Sequence, residues 1–390
     1  MYRTVEVRCR KTRNEFLQLP VKLYRNYPNW IQPLNTDIER VFDPKKNKQF
    51  RNGEAIRWIL INDSGETVGR IAAFIDYPIA KNNTQPTGGV GFFECINSQD
   101  AANLLFDKSV EWLASRGMEA MDGPVNFGDR DRWWGLLVEG DFEPNYCMDY
   151  HLPYYKNLFE SYGFKLFFRQ LTYHRYINPE NVDPVIWEKA ERVASNPAYS
   201  VRNISKNNLK KFANDFRVVY NSAWGRFSGV KKISKPHALA LLKTVKPILD
   251  ERLVYFAYHN NEPIGFFIMI PDLNQVTKFL NGKFNLWAKL KLLYLLKVRK
   301  VCKKAIGLIF GVVPEHQGHG IDAAMVVAFS KWALRKDFPY TELELNWIGE
   351  FNPPMRKVAE QIGGKVKKVH VTYRYMFDQT KEVVPYQREV

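Results

Sequence analysis

Five residues, Gln317, Gly318, His319, Gly320 and Ile321, separate a run of β-branched and aromatic residues (KAIGLIFGVV, 304–313) from a run of small and apolar ones beginning at Asp322-Ala323-Ala324. The first run has the composition of a strand buried on both faces, and Pro314 ends it. The second reads as a helix. Two glycines between them let the backbone approach a ligand without Cβ interference, and the opening turn of the helix offers unpaired amides at its positive end. A junction of that kind suits a diphosphate, and a tight strand-to-helix turn without ligand has the same form. Asp322 complicates it, because a carboxylate in the first turn suits the helix dipole yet opposes a phosphate. Either its side chain turns away toward a cation, or the ligand is held in an altered manner. The stretch also satisfies G-x-G-x-x-A through Gly318, Gly320 and Ala323, with Glu344 at a dinucleotide-like distance. Pro-Glu-His-Gln before the glycines, and a single long helix pattern after them, argue against that fold.

Further along, Glu350 lies between Trp347 and Asn352, where a strand pattern gives way to a helix pattern. A carboxylate there can act as a general base, directly or through water, or can be a solvated loop charge. Asn346 and Asn352 can orient an acceptor or ligand amides; Asn352, just before Pro353, is equally a helix cap. His316 and His319 stand three apart, but no third ligand has suitable spacing, so no metal site is expected.

The elements that must position these residues come in two copies. IRWILINDSGETVGRIAAFID (56–76) and LVYFAYHNNEPIGFFIMI (253–270) both read as hairpins, turning at Asp63-Ser64-Gly65 and at Asn260-Asn261. Glu160, Gly163, Lys165, Thr172 and Tyr173 each stand 200 positions before Glu360, Gly363, Lys365, Thr372 and Tyr373. SVEWLASRGM (109–118) can be laid on FSKWALRKDF (329–338), which also places Asn126 on Asn346. Each copy predicts helices, a hairpin, a strand, a long helix, a strand, a short helix and a last strand. That order is mixed α/β, with a parallel strand pair flanking the long helix. The halves are expected at 1–180 and 181–390.

The chain of 390 residues, 45% of them apolar, is long enough for more than one core. Its start lacks an apolar segment and nowhere do some 18 apolar residues run together, so a cytoplasmic protein is expected. Four scattered cysteines predict neither disulfides nor a zinc cluster. Residues 186–390 hold 34 Lys and Arg against 17 Asp and Glu, a net +17, whereas residues 1–185 hold 23 against 24. The second half is therefore expected to meet an anion, which charge alone does not identify. No nucleic-acid module is recognisable, so nucleic acid is not expected as a partner. The second half also carries a basic insertion, 273–304, in which Phe284, Trp287, Leu290, Leu293 and Leu296 recur at helical spacing. It reads as a basic amphipathic helix that packs its stripe on the domain, or that docks on anionic lipid or covers a long acyl chain.

Residues 311–322 resemble the cofactor-binding motif of the GNAT acyltransferase superfamily, [Q/R]-x-x-G-x-[G/A] after a strand ending near V-x-P. Gln317-Gly318-His319-Gly320-Ile321 fits that form, with Asp322 in place of its final small residue. The resemblance extends over both copies, so the chain looks like a tandem GNAT protein. It is most similar to a bacterial group sharing runs like GLLVEGDFEPNYCMDY (135–150) and ELELNWIGEFNPPM (342–355). The resemblance implies two GNAT-like domains, each a central mixed sheet flanked by helices. It implies that amides from Gln317 to Ile321 hold the CoA diphosphate, and that the strand near Val312 and Val313 binds pantetheine and polarises the thioester carbonyl. The first copy has INSQDAANLL (96–105) at the equivalent place and would be a half without a cofactor loop. The activity implied is transfer of an acyl group, most simply acetyl, from acetyl-CoA or another acyl-CoA to a small-molecule amine held between the copies. The family's acid, a Tyr in the motif begun by Asn352, is Ala359 here and Phe159 in the first copy. Tyr373 and Tyr375 are reserve candidates for it. A CoA-binding scaffold without turnover, and an aminoacyl transferase, stay open as alternatives.

Overall fold

The computed structural model describes residues 1–82, 85–128, 130–225 and 232–386. The first repeat runs β1 (Tyr2–Glu6), α1 (Arg10–Leu23), α2 (Asn35–Val41), β2 (Gly53–Asn62), β3 (Thr67–Asp76), α3 (Tyr77–Asn82), β4 (Thr87–Cys95), α4 (Gln99–Ala114), β5 (Ala120–Gly123), β6 (Leu136–Glu139), α5 (Tyr155–Tyr162) and β7 (Lys165–Tyr176). The second runs α6 (Pro184–Ala194), β8 (Tyr199–Asn203), α7 (Leu209–Ala223), α8 (Lys235–Val245), β9 (Val254–His259), β10 (Glu262–Pro271), α9 (Asn274–Thr277), α10 (Leu286–Lys297), β11 (Lys304–Val312), α11 (Ile321–Ala333), β12 (Glu342–Gly349), α12 (Pro353–Gln361) and β13 (Lys365–Met376). Both expected hairpins form, as β2–β3 and β9–β10. Asn260 and Asn261 both take positive φ at the second turn, a conformation that asparagine tolerates better than most residues.

All strands join one mixed sheet in the order β1-β2-β3-β4-β5-β13-β7-β12-β11-β10-β9-β8, with β6 added on β13. Read from either end, that order visits the equivalent strands of the two repeats in the same sequence until it reaches the middle. There the last strands are exchanged. β7 lies against β12 of the second repeat, and β13 lies against β5 of the first. The pairs β4–β5 and β11–β12, on either side of the long helices, are parallel.

The residues 200 positions apart explain how the exchange is held. Tyr173 Oη donates to Glu360 Oε1 at 3.0 Å, and Tyr373 Oη donates to Glu160 Oε1 at 2.9 Å. Each strand tyrosine thus reaches the short helix of the other repeat. A second matched pair follows, with His174 Nε2 against Glu342 at 2.9 Å and Arg374 forking onto Asp122 at 2.7 and 2.9 Å. Tyr173 packs into the apolar core of the second half and Tyr373 into that of the first. β13 and β7 pair with each other as well, so the sheet is continuous through its middle and the order ends on β1 and β8.

On one face the exchanged strands are covered by residues 127–150 and by the insertion after β10. Buried charges stitch these layers together. Glu344, fully buried, meets Lys368 at 2.7 Å, Lys367 at 3.0 Å and Lys304 at 3.4 Å. Burial opposes ionisation of Glu344, but Lys368, Lys304 and Lys367 outweigh it and hold the carboxyl well below the usual range. Lys304 also meets Asp272 at 3.3 Å and Asn145 at 3.2 Å, joining the two insertions. Glu344 therefore serves packing and is in no position to meet a ribose.

Because each half contains the other's last strand, neither is expected to fold alone. Fragments 1–180 and 181–390 should each be unfolded or aggregated, and should form one soluble complex when co-expressed. Size-exclusion chromatography and circular dichroism check this; two separately folded monomers would contradict the exchange.

Candidate functional site

The strand-to-helix junction predicted at 314–321 forms as read. Gly318 and Gly320 take φ of 78° and 85°, the left-handed region that side chains other than glycine seldom enter. A Cβ at Gly318 would project into open space, whereas one at Gly320 would stand 3.1 Å from the Lys189 Cβ and 3.2 Å from its carbonyl. Helix α6 thus walls one side of the loop through the Lys189 Cβ and carbonyl, a contact that the linear sequence gives no reason to expect. Gly320 caps α11 without a side-chain acceptor. Among the described residues no protein acceptor is found for the amides of Gly318, His319, Gly320, Ile321, Asp322 and Ala323; the ladder of α11 starts with Ala324 N–H to Gly320 O at 3.0 Å. Successive amides around left-handed glycines form an anion-binding concavity. Gln317 faces away from it, its Nε2 donating to Val312 O at 2.9 Å. Asp322 is half-buried in the first turn, and no ion pair to it is seen among the described residues.

Beside the loop, β11 and β12 pair only from Lys304 to Gly307 and from Glu342 to Leu345, then splay apart. Val313 N–H donates to Ile264 O of β10, so by strand alternation the Val312 N–H points the other way, into the gap. Asn346, Glu350 and Asn352 line up beyond the last paired residue of β12. Asn346 Oδ1 accepts from Thr172 Oγ1 at 3.4 Å, and Asn352 stands at the start of α12 without capping it through its side chain. Both oxygens of Glu350 are held by Arg169 of β7, Oε1 by its amide at 2.9 Å and Oε2 by its guanidinium at 3.2 Å. The exchanged strand therefore fixes the carboxylate just beyond the end of β12.

In the first repeat the equivalent places are filled by the protein itself. Val125 N–H donates to Val90 O at 2.7 Å, and a Cβ at Gly91 would stand 1.9 Å from Val125 O, so the chain after β5 closes onto β4. Tyr155 Oη accepts from Cys95 N–H at 3.1 Å, and Tyr154 Oη donates to Cys95 O at 2.6 Å. Cys95 pairs with Gly69 as Val312 pairs with Gly265, so Tyr155 occupies the counterpart of the Val312 amide and Tyr154 the counterpart of the carbonyl that Gln317 takes. The start of α4 is capped by Ser98, whose Oγ accepts from Ala101 N–H at 3.3 Å, and Asp100 stands in its first turn.

Two further residues gather at the loop. Tyr199 Oη lies 3.2 Å from His316 Nδ1, and the His259 ring centroid lies 4.9 Å from that of His316 at a tilt of 50°, with His319 at 5.9 Å. Burial, then the neighbouring His259 and His319, lowers the His316 pKa. No group of three or more His, Cys, Asp or Glu is placed to hold a metal among the described residues. The reserve phenols do not reach this place, since Tyr373 bonds Glu160 and Tyr375 packs on Tyr162 and Phe164, both in the first half. Strand exchange is the reason. Trp347 Nε1 donates to Arg130 O at 3.0 Å, which seats the segment around Trp133 and Trp134 against the second repeat. An apolar recess between α6 and α11, lined by Ile186, Trp187, Val327 and Leu343, lies farther down α11 from the loop and is separate from it.

No protein-family model matches the sequence. The chain is 29% identical over 369 residues to a protein named bacterial ceramide synthase from Caulobacter vibrioides, covering 92% of this chain and 93% of that one. It is 26% identical over 364 residues to Protein YghO of Escherichia coli, covering 92% and 91%. Among solved structures, a tandem GNAT protein from the clavulanic acid biosynthesis pathway superposes with a TM-score of 0.54 at 12% identity, over 97% of this chain and 99% of that one. A GCN5-related glucosamine N-acetyltransferase region of a fungal multidomain GH3 β-N-acetylglucosaminidase gives 0.57 at 12% identity, over 96% of this chain and 38% of that one. The fold is thus that of tandem GNAT proteins.

The insertion over the site's flank rests on two buried neutral histidines. His151 Nδ1 accepts from Leu137 N–H at 3.0 Å, and His370 Nε2 meets Asp149 O at 3.1 Å. Burial pushes their pKa values down to about 3 and about 4. In the unfolded chain such groups take up protons near pH 6.5. Their contribution is therefore complete above pH 6.5 and is lost as pH falls toward about 4, at about 1.4 kcal/mol per pH unit for each group that stays neutral. Urea midpoints between pH 7 and 5 should fall accordingly, and His370→Gln, which keeps a donor for Asp149 O, should make the fall shallower.

Proposed function

We propose that this chain is an N-acyltransferase that takes an acyl group from a CoA thioester bound at the second repeat and passes it to an amine. The observation that carries the reading is the set of acceptor-free amides from Gly318 to Ala323 beside a splayed strand pair, matched by a first repeat in which both features are blocked. Open space at Gly318 and two left-handed glycines fit a diphosphate. The basic excess of this half offsets Asp322. The Val312 amide, aimed into the gap, is the donor for the oxyanion that forms when the amine nitrogen attacks the thioester carbonyl. The C–N bond forms, the C–S bond breaks, and CoA leaves as the thiolate, which takes up from solvent a proton equivalent to the one the amine loses.

Glu350, clamped by Arg169, is assigned to receive the amine proton, directly or through water, while Asn346 and Asn352 orient the acceptor. The acyl chain is expected to be a fatty one rather than acetyl, and the acceptor a long-chain amino alcohol, because the relative from Caulobacter vibrioides is named for ceramide synthesis and aligns over 92% of this chain. Ceramides are N-acylated sphingoid bases. A binding protein without turnover is the second reading, favoured by Ala359, which is fully buried and offers no phenol on α12.

Gly318→Asp should weaken CoA binding by about tenfold or more, through a carboxylate beside the phosphates, while Gly318→Asn, of equal size and equally tolerant of positive φ, should weaken it far less. Titration calorimetry measures both; equal affinities would remove the diphosphate site. Asp322→Asn should tighten binding severalfold by the same assay. Glu350→Gln should leave CoA affinity intact and lower turnover by about 100-fold or more, read by mass spectrometry with acetyl-CoA or palmitoyl-CoA and a panel of sphinganine, a polyamine and an amino sugar. No amide product with any pair would leave the binding-protein reading.

A further inference from the structure

The insertion between β10 and β11 carries nine Lys and Arg and no Asp or Glu over residues 273–304. Its helix α10 does not gather its apolar residues into one packed stripe, as the spacing of Trp287, Leu290 and Leu293 predicts. The side that packs is formed by Ala288, Leu292, Leu295 and Leu296. The opposite side is apolar as well, and among the described residues nothing covers it: Leu286 is 70% and Trp287 78% exposed, and Leu290, Leu293, Tyr294 and Val298 are exposed with them. Over three turns these residues share one face at spacings of three and four. A helix apolar all round is normally buried, and this one is buried on one side only.

The charges say what belongs on the other side. Lys289 and Lys291 flank the apolar face, one on each side, Lys283 precedes it, and Lys297, Arg299 and Lys300 stand at its end; all are exposed. Bulky apolar side chains with lysines at the margins, and no acid, form the surface that enters a headgroup layer and meets anionic lipid. A protein partner would need a stripe of carboxylates of matching length around an apolar groove. The helix is also firmly seated. Asn274 Nδ2 donates to Pro144 O at 2.8 Å, Lys278 pairs with Glu143 at 2.9 Å, and Asn35 N–H donates to Gly282 O at 2.8 Å, so the insertion is fastened to the first repeat. No helix among the described residues is long and apolar enough to cross a membrane.

We infer that α10 lies in the plane of an anionic bilayer surface, with Trp287, Leu290 and Tyr294 in the acyl boundary and the flanking lysines on the phosphates. Docking of this kind is independent of acyl transfer, so it can hold or fail whatever the enzyme assay shows.

Sedimentation with sucrose-loaded vesicles, without acyl-CoA, tests it. The full chain is expected to bind phosphatidylglycerol–phosphatidylcholine vesicles at least about tenfold more tightly than pure phosphatidylcholine, and to be released as ionic strength rises from about 0.1 to about 0.5 M. Trp287→Asp with Leu290→Asp should lower binding by about tenfold or more, and Lys289→Glu with Lys297→Glu should remove the preference for anionic lipid. These side chains are exposed, so circular dichroism should be unchanged. Equal binding by the wild type and the Asp double variant would overturn the inference. So would a wild-type dimer, seen by light scattering, that this variant dissolves while vesicles bind neither protein.

Discussion

The exchange of β7 and β13 is the constraint from which the rest of the architecture follows. Each repeat's last strand covers the edge of the other, β13 on β5 and β7 on β12, and the two last strands pair with each other, so one sheet runs through both repeats. The same crossing brings Arg169 to Glu350 and sends Tyr373 to Glu160. A residue of the first copy therefore orients the carboxylate of the second, and a tyrosine of the second copy is spent in the first. Function in this chain cannot be assigned repeat by repeat.

Within that symmetric frame the two copies differ through a few local choices. At the mouth of the β4–β5 pair, phenols of Tyr154 and Tyr155 take the Cys95 amide and carbonyl, and Ser98 takes an amide of the following helix. At the mouth of β11–β12, glycines stand where a cap and a carboxylate stand in the first copy. Backbone polar groups buried away from water demand partners. The first copy meets several of them internally, whereas in the second the amides from Gly318 to Ala323 have no protein acceptor among the described residues.

Charge is distributed by the same logic. The lysines of β11 and β13 that lie in the interior are neutralised by Glu344 and Asp272, so they contribute to cohesion of the layers and little to the outer field. Lys283, Lys289, Lys291 and Lys297 of the insertion are exposed, show no ion pair among the described residues and shape the surface potential instead. The excess of +17 in residues 186–390 thus divides into a buried, balanced part and an outward part on α10 and around the glycine loop.

Much of this was legible from residue types alone. The repeat, the hairpins, the parallel pairs and the glycine junction are local patterns, because turns at Asn260-Asn261 and left-handed positions at Gly318 and Gly320 are set by neighbouring atoms. Separations of 200 residues between Tyr173 and Tyr373 announced a repeat, but not that each tyrosine would bond the other copy's glutamate, since a pattern of equals gives no preference between pairing within a copy and across it. Lys189 and His259 reached the loop, and Tyr373 left it, through contacts between segments far apart in the chain. Which face of α10 would be covered was equally undecided, as both faces are apolar and only the packing of Ala288 and Leu292 against the core settles it. Sequence by itself determined the elements and the chemistry on offer; the tertiary structure decided which groups meet, because long-range pairing is chosen by the global closure of the sheet and not by any residue's neighbours.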